Sequence, residues 1–264
     1  MNDLDDLADG VPASLDLGRQ LLDVADAMDA QYLLRRSLSD PHSSVEQRTK
    51  LAETLLGGSI SPPAMELVKG AAAQSWPSPD ALAWAVRDLA VHVAWRSLPA
   101  TENDTARAQV LELISAVTRD QDLTAALSGA HSLQDRQQLV VALAKGALPQ
   151  VGLLARSAAG DSRGSFAANL SRSLDKFAAM RGFLRAAVTT AVPLNQTQLA
   201  TLRTELQRIY RHPVDLESAV DAQVIGGVRV DVQGDVIDGS IKARLDAARE
   251  AIAAGTASKE VEHA

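Results

Sequence analysis

Along most of the chain apolar residues recur at a spacing of about 3.6, the period of a helix with one buried face. After Arg185 the spacing changes to two. RAAVTTAVPL alternates Ala186, Val188, Thr190 and Val192 on one face until Pro193 ends the run, which predicts a strand. NQTQLATLRTELQRIYRH then puts Leu199, Leu202, Leu206 and Ile209 on one helical stripe, with Asn195 and Gln198 spaced as a capping box. PVDLESAVDA alternates Val214, Leu216, Ser218 and Val220, and GGVRVDVQG turns Val228, Val230 and Val232 inward and Arg229, Asp231 and Gln233 outward. A last helix carries Ile241, Leu245, Ala248 and Ile252 on one face and Lys242, Asp246, Arg249 and Glu250 on the other. The predicted order in this C-terminal part is strand, helix, strand, strand, helix.

The helical part repeats itself. LLDVADAMDAQYLLRRSLSDPHS, starting at Leu21, aligns with VLELISAVTRDQDLTAALSGAHS, starting at Val110, so that Leu22 meets Leu111, Leu34 meets Leu123, Leu38 meets Leu127 and His42 meets His131. With one residue of shift, Arg48 meets Arg136, Leu51 meets Leu139, Leu55 meets Leu143 and Gly58 meets Gly146; after a further shift, Arg87, Leu89 and Arg96 meet Arg172, Leu174 and Arg181. Periodicity alone aligns leucines, but it does not produce ordered His, Arg and Gly matches. Prolines in SISPPAMEL and SWPSPDAL stand at helix starts, where a missing N–H costs nothing, with Ser61, Ser78 or Asp80 as caps. The run from Leu98 to Asp104 reads as a connector, and AAGDSRGS (Ala158 to Ser165) as a loop inside the second copy. The expected fold is mainly α, with two tandem α-helical bundle copies followed by a small α/β C-terminal domain. The copies span 1–100, with the acidic N-terminus, and 101–183; the α/β domain spans 184–254 and a flexible tail 255–264.

Composition narrows the function. Apolar residues make up 46% and aromatics only 3%, a balance that suits closely packed Ala, Leu and Val helices. There is no cysteine, which excludes disulfides, thiolate metal sites and cysteine nucleophiles. The net charge of −7 resides in the first 29 residues, with their eight aspartates and one arginine; the remainder is neutral. That neutrality and the scarcity of aromatics argue against nucleic acid as a ligand. The acidic head reads as solvated charge at a helix start, with a docking surface as the alternative. No uninterrupted apolar run has the length of a membrane span, and MNDLDDLADG lacks the features of a signal peptide, so a cytoplasmic location is expected.

The stretch VIGGVRVDVQGDVIDGSIKARL (Val224 to Leu245) invites catalytic readings that fail on spacing. Gly226-Gly227 precedes a strand, whereas a dinucleotide-binding loop follows one and opens a helix. No phosphate-binding GxxxxGK[ST] sequence exists, and a calcium loop from Asp231 would put Lys242 where a carboxylate is required. The histidines lack ligand spacing, no GxSxG elbow appears, and Arg35-Arg36 and Lys50 are read as solvated instead of anion-binding. No catalytic, cofactor or metal residues are assigned. Gly226 and Gly227 are expected to shape a turn, Gly234-Asp235 a reversal, and Asp238-Gly239-Ser240 a helix start with Asp238 as cap.

The order AAVTTAVPLNQTQLATLRTEL, then HPVDLESAVDAQVIGGVRVDVQGDVIDGSIKARLDAARE, resembles the C-terminal region of the δ subunit of F-type ATP synthases, the family of the mitochondrial oligomycin-sensitivity-conferring protein. Carrying the resemblance are Pro193 in A-V-P-L, the D-x-x-x-IGG turn of Asp221, Ile225, Gly226 and Gly227, and V-I-D-G-S with Asp238, Gly239 and Ser240, leading to Arg244-Leu245. The second helical copy is similar to the family's N-terminal helical domain, and the extra copy resembles the long actinobacterial forms.

The resemblance implies a non-catalytic stator subunit without cofactor, lying at the cytoplasmic face of the cell membrane as a peripheral part of the complex. It links the catalytic αβ head to the peripheral stalk and resists rotor torque. The implied partners are the N-terminal segments of the α subunits for the helical part and the b subunit for the C-terminal domain. Since no span precedes the helices, a separate b subunit is expected. The competing reading is a helical-repeat protein-protein adaptor unrelated to ATP synthase.

Overall fold

A computed structural model describes residues 3–221 and 226–239. The chain forms two compact units that meet in sequence at Leu174 and Asp175.

The first unit opens with α1 (Asp3–Asp9), followed by α2 (Leu15–Ala30), α3 (Tyr32–Leu38), α4 (Val45–Leu56), α5 (Pro62–Ala73) and α6 (Pro79–Arg96). After one 3₁₀ turn at Ala100–Glu102 come α7 (Asn103–Arg119), α8 (Gln121–Ala126), α9 (Leu133–Leu143), α10 (Pro149–Gly160) and α11 (Phe166–Met180), whose last residues belong to the second unit. The series α2 to α6 recurs as α7 to α11, and part of its punctuation recurs with it. Ser44 and Ser132 accept the N–H groups of Gln47 and Asp135, and Ser78 and Ser165 those of Ala81 and Ala168. Each serine takes a first-turn donor that its helix cannot satisfy. Proline opens both α5 and α10.

Burial fixes the register of the repeat. Leu17, Leu21, Val24 and Met28 are buried on α2, and so are Ala106, Val110, Leu113 and Val117 at the expected spacing of 89 residues. At α6 and α11 the register differs from the expected one. The serine caps and the buried pairs Leu82/Asn169, Ala83/Leu170 and Val86/Ser173 set a spacing of 87, so Arg87 corresponds to Leu174 and not to Arg172. Packing constrains the face of each helix and not the identity of an arginine at its edge.

The acidic head is not simply solvated. Leu4, Ala8 and Val11 are buried, and α1 packs on α5 and α6. Asp9 lies 2.8 Å from His92 Nε2 and 3.3 Å from Arg96 Nε, and Asp5 lies 3.7 Å from His92 Nδ1. Arg96 also donates to the carbonyls of Ala8, Asp9 and Val11, which closes the C-terminal end of α1. The partners lie more than eighty residues away in sequence, so local patterning could not reveal them.

In the second unit β1 (Leu184–Thr190), α12 (Gln196–Tyr210), β2 (Val214–Val220), β3 (Val228–Val232) and β4 (Asp235–Asp238) form a four-stranded sheet of order β2-β1-β3-β4. β1 and β2 are parallel, joined by α12; β3 is antiparallel to both β1 and β4. The capping box of Asn195 and Gln198 is present, with both bonds at 2.9 Å. Ala186, Val188, Val214, Val230, Val232 and Leu206 form the core, with Leu202, Tyr210 and Leu216 packed beside it.

Three expectations are corrected here. Ile209 is exposed, and Tyr210 takes its place against the core. Val192 lies beyond β1 and is exposed, because Thr190 Oγ1 donates to its carbonyl and the chain turns away. Asp235–Asp238 forms a strand that the reversal at Gly234 had concealed: Gln233 (φ 54°) and Gly234 (φ 89°) make the positive-φ turn of a tight hairpin. Asp238 therefore ends β4, paired with Arg229. The helix expected over Ile241 to Ile252 lies outside the described residues.

Candidate functional site

α10 lies against both α2 and α6 and brings the two copies together. Leu153 sits over Gly18, where a Cβ would come within 2.7 Å of its Cδ2. Arg156 reaches Asp23 at 2.6 Å and Asp26 at 2.8 Å, and Gln137 donates to Asp26 at 2.8 Å. Arg87, 1% exposed, donates to Asp26 (2.9 Å), Asp29 (2.6 Å) and the Ser157 carbonyl (3.3 Å). Farther along, Arg163 joins Asp88 (2.6 Å) and Asp161 (2.8 Å).

These charges feel their burial. Desolvation raises the Asp29 carboxyl above its ordinary range, and Arg87 only partly offsets it. Burial acts in the same direction on Asp161, but hydrogen bonds from Arg163 and the charges of Arg163 and Arg172 outweigh it and hold that carboxyl low. Desolvation would lower Arg163, yet Asp88 and Asp161 raise it. Each carboxylate faces a guanidinium, which is the chemistry of a network that fixes two elements together.

The repeat exposes a difference between the copies. Gly18, Leu22 and Ala25 are buried beneath the α10 contact, whereas their counterparts on α7, Arg107, Leu111 and Ile114, are only half-buried. That α7 face sets the apolar Leu111 and Ile114 beside Arg107.

In the second unit the sequence-assigned residues gather at one end of the sheet. Thr190, Val220 and Val228 are register partners there, and the Asp221 N–H donates to the Thr190 carbonyl at 2.9 Å. Gly226 (φ 73°) and Gly227 (φ 88°) lead into β3 through left-handed conformations that side chains disfavour. From β4 the Gly239 N–H donates to the Val228 carbonyl at 2.9 Å, and a Cβ on Gly239 would meet that oxygen at 3.1 Å. Pro193 follows the exposed Val192 at the end of β1, and Val220 is exposed at the end of β2. Pro193, Asp221, Gly226, Gly227, Asp238 and Gly239 thus frame one surface; Ile225, Ser240, Arg244 and Leu245 lie outside the described residues.

The sheet face away from α12 is polar. Arg185, nearly buried, holds Glu217 at 2.5 Å and Asp175 at 3.0 Å. Burial raises the Asp175 carboxyl; Arg185 opposes this, and Asp231 and Glu217 add to it. Among the described residues no group of His, Asp or Glu is arranged to hold a metal ion. Arg35 is engaged: it pairs with Asp80 at 2.9 Å and donates to the carbonyls of Met28 and Asp29. Sequence reasoning missed Arg87, Arg156 and Arg163 as the charges joining the copies, although each counters an aspartate of the acidic head or of the repeat.

Residues 99–252 match the family described as ATP synthase delta (OSCP) subunit. The chain is 32% identical over 251 residues to ATP synthase subunit delta of Beutenbergia cavernae, covering 94% of this chain and 93% of that one. It is 31% identical over 249 residues to the subunit delta of Cutibacterium acnes (93% and 95%) and 32% identical over 259 residues to that of Frankia casuarinae (93% and 91%). The family match begins at the junction between the copies, while the relatives extend over both.

Proposed function

Because the chain belongs to the ATP synthase delta (OSCP) subunit family, we propose that it is a non-catalytic stator subunit tying the catalytic αβ head to the peripheral b stalk. The observation that carries this reading is the family match across both the second helical copy and the sheet. Torque from the rotor would turn the head with it unless the head were tied to the stalk. A tie needs two docking surfaces, and the described residues offer two candidates.

The first is the α7 face of Arg107, Leu111 and Ile114, which suits an amphipathic helix such as an N-terminal segment of an α subunit. The equivalent face of the first copy is occupied by α10, so the second copy is the one we assign to the head. The second is the end of the sheet where Val192 and Val220 are exposed beside the glycine turn, which we assign to the b subunit. No helix among the described residues is long and apolar enough to cross a membrane, and attachment through the complex at its cytoplasmic face fits that. Specific interfaces of this kind bury on the order of 1,200 Å² or more.

The test is affinity capture of the tagged chain from its own detergent-solubilised membranes, with mass spectrometry after a salt wash. Recovery of α, β and b subunits together is expected. An intact synthase in the flow-through, with unrelated proteins retained, would favour the adaptor reading instead.

A further inference from the structure

The two edge strands of the sheet, β2 and β4, are built differently. β4 is four residues long and carries a carboxylate at each end, Asp235 and Asp238. Short length and charge protect an edge against pairing with another strand. β2 runs for seven residues in unbroken register with β1, without bulge, proline or lysine, and its last three residues, Ser218, Ala219 and Val220, are uncharged and exposed. The register decides which main-chain groups face outward. The Leu184 N–H donates to the Pro213 carbonyl, and the Asp221 N–H donates to the Thr190 carbonyl. A parallel ladder draws its bonds from alternate residues of each strand, so between those two points Asp215, Glu217 and Ala219 bond to β1. The N–H and C=O groups of Leu216, Ser218 and Val220 therefore point away from the sheet.

Side chains flank this row differently on the two faces. On the α12 side Tyr210 reaches Asp235 on β4, so Ile209, on the other flank of Leu206, is turned toward β2; Ile209 and Val220 are both exposed there. The opposite face of β2 carries Asp215 and Glu217. The field on that face is acid, since burial, Asp231 and Glu217 together hold the Asp175 carboxyl above its ordinary range against the pull of Arg185. We propose that β2 accepts one extended segment of a partner chain, apolar at the alternate positions on the α12 side and lysine or arginine at the positions between. Main-chain bonds to Leu216, Ser218 and Val220 supply affinity, and the side chains select the segment. A second copy of β2 is a poor occupant. Two-fold pairings centred on Leu216, Glu217 or Ser218 set Asp215 opposite Glu217, Glu217 opposite Glu217, or Asp215 opposite Asp221, and like charges directly opposite destabilise a ladder. This inference rests on the sheet alone and is independent of the assignment to the stator.

The experiment is amide hydrogen exchange by NMR on the purified full-length chain, with a blocked peptide of alternating valine and lysine as the probe. In the chain alone the Leu216, Ser218 and Val220 amides exchange fast beside the slower Glu217 and Ala219 amides; with the peptide these three become slow. The same peptide with glutamate in place of lysine leaves them fast. Ser218→Pro removes one outward N–H and leaves the bonds to β1 in place, as an edge position allows. It weakens binding of the valine and lysine peptide about fivefold or more, the worth of one main-chain hydrogen bond. Should Ser218→Pro disturb the sheet, the same peptide methylated on its main-chain nitrogens is tested against the unaltered chain, and its binding is lost. The proposal is overturned by a peptide that does not bind, that binds without slowing the three amides, that binds equally after methylation, or that is matched by the glutamate peptide. It is equally overturned if the three amides are already slow in the dilute chain or become slow only as the chain is concentrated, since this chain itself then occupies the edge.

Discussion

Arg48 and Arg136 perform the same task in the two copies. Arg48 on α4 donates to the carbonyls of Gln74 (2.8 Å) and Ala73 (3.3 Å) at the end of α5, and Arg136 on α9 donates to the Ala159 carbonyl at the end of α10. Each guanidinium satisfies helix-terminal carbonyls that have no donor within their own helix. Leaving such acceptors unpaired costs about 1–3 kcal/mol, so Arg48→Met and Arg136→Met should each lower the urea midpoint. Lysine at position 48 should recover less than half of the loss, because one ammonium cannot reproduce a planar fork.

Arg87 is the most buried charge between the copies. Removing one partner of a buried ion pair typically costs about 3–5 kcal/mol, and Arg87→Met takes from Asp29 its ion pair while Asp26 keeps Arg156 and Gln137. We expect α2 and α10 to lose hydrogen-exchange protection together. Loss confined to α6 would mean that the network does not join the copies.

Asp161 gives the first unit a pH dependence of known sign. Its carboxyl is held below the ordinary range, so its contribution is present above the unfolded value and is lost as pH falls through the lower folded value. Asp161→Asn should therefore destabilise at neutral pH, by about 2 kcal/mol for charged hydrogen bonds lost, and the difference from the unaltered chain should shrink in strong acid. Thermal melts of both chains across pH measure this directly.

Tyr210 donates to Asp235 at 2.6 Å, linking α12 to β4, and that bond, with burial and the charge of Asp235 behind it, pushes the phenol up to about 12. A phenol raised in this way stabilises the fold below its unfolded value, and that stabilisation disappears as pH rises through 12. Ultraviolet titration should reveal a phenol ionising late, and Tyr210→Phe should remove that step.

Gly227 has a φ of 88°, and a β-branched residue there should cost on the order of 1–3 kcal/mol in backbone strain. With the proposed stator role, Gly227→Val should uncouple proton flow from ATP synthesis while the isolated head continues to hydrolyse ATP. Loss of head hydrolysis with coupling intact would contradict that role.

Residues 214–220 and 228–232 announced their strands because alternation is a local property, and Asn195 with Gln198 announced a helix start for the same reason. β4 was concealed because four residues carry too little alternation to separate them from a turn. Ile209 and Tyr210 are neighbours on one helix, and the choice of which faces the core belonged to the sheet beneath them. The cluster at the sheet end was legible as residue types, since glycine before a strand means positive φ, but its convergence depended on strand order.

The amino-acid sequence by itself determined the period of each segment, the serine and proline punctuation, the duplication and the family, because these rest on interactions within a few residues or on direct comparison of one stretch with another. Tertiary structure alone decided that Asp5 and Asp9 meet His92 and Arg96, that α10 packs on α2 over Gly18 while Arg107, Leu111 and Ile114 on α7 are only half-buried, and that Arg87 faces two aspartates about sixty residues away. Charge pairing of that kind depends on which faces meet, and that is settled only when apolar surfaces from distant segments are buried together.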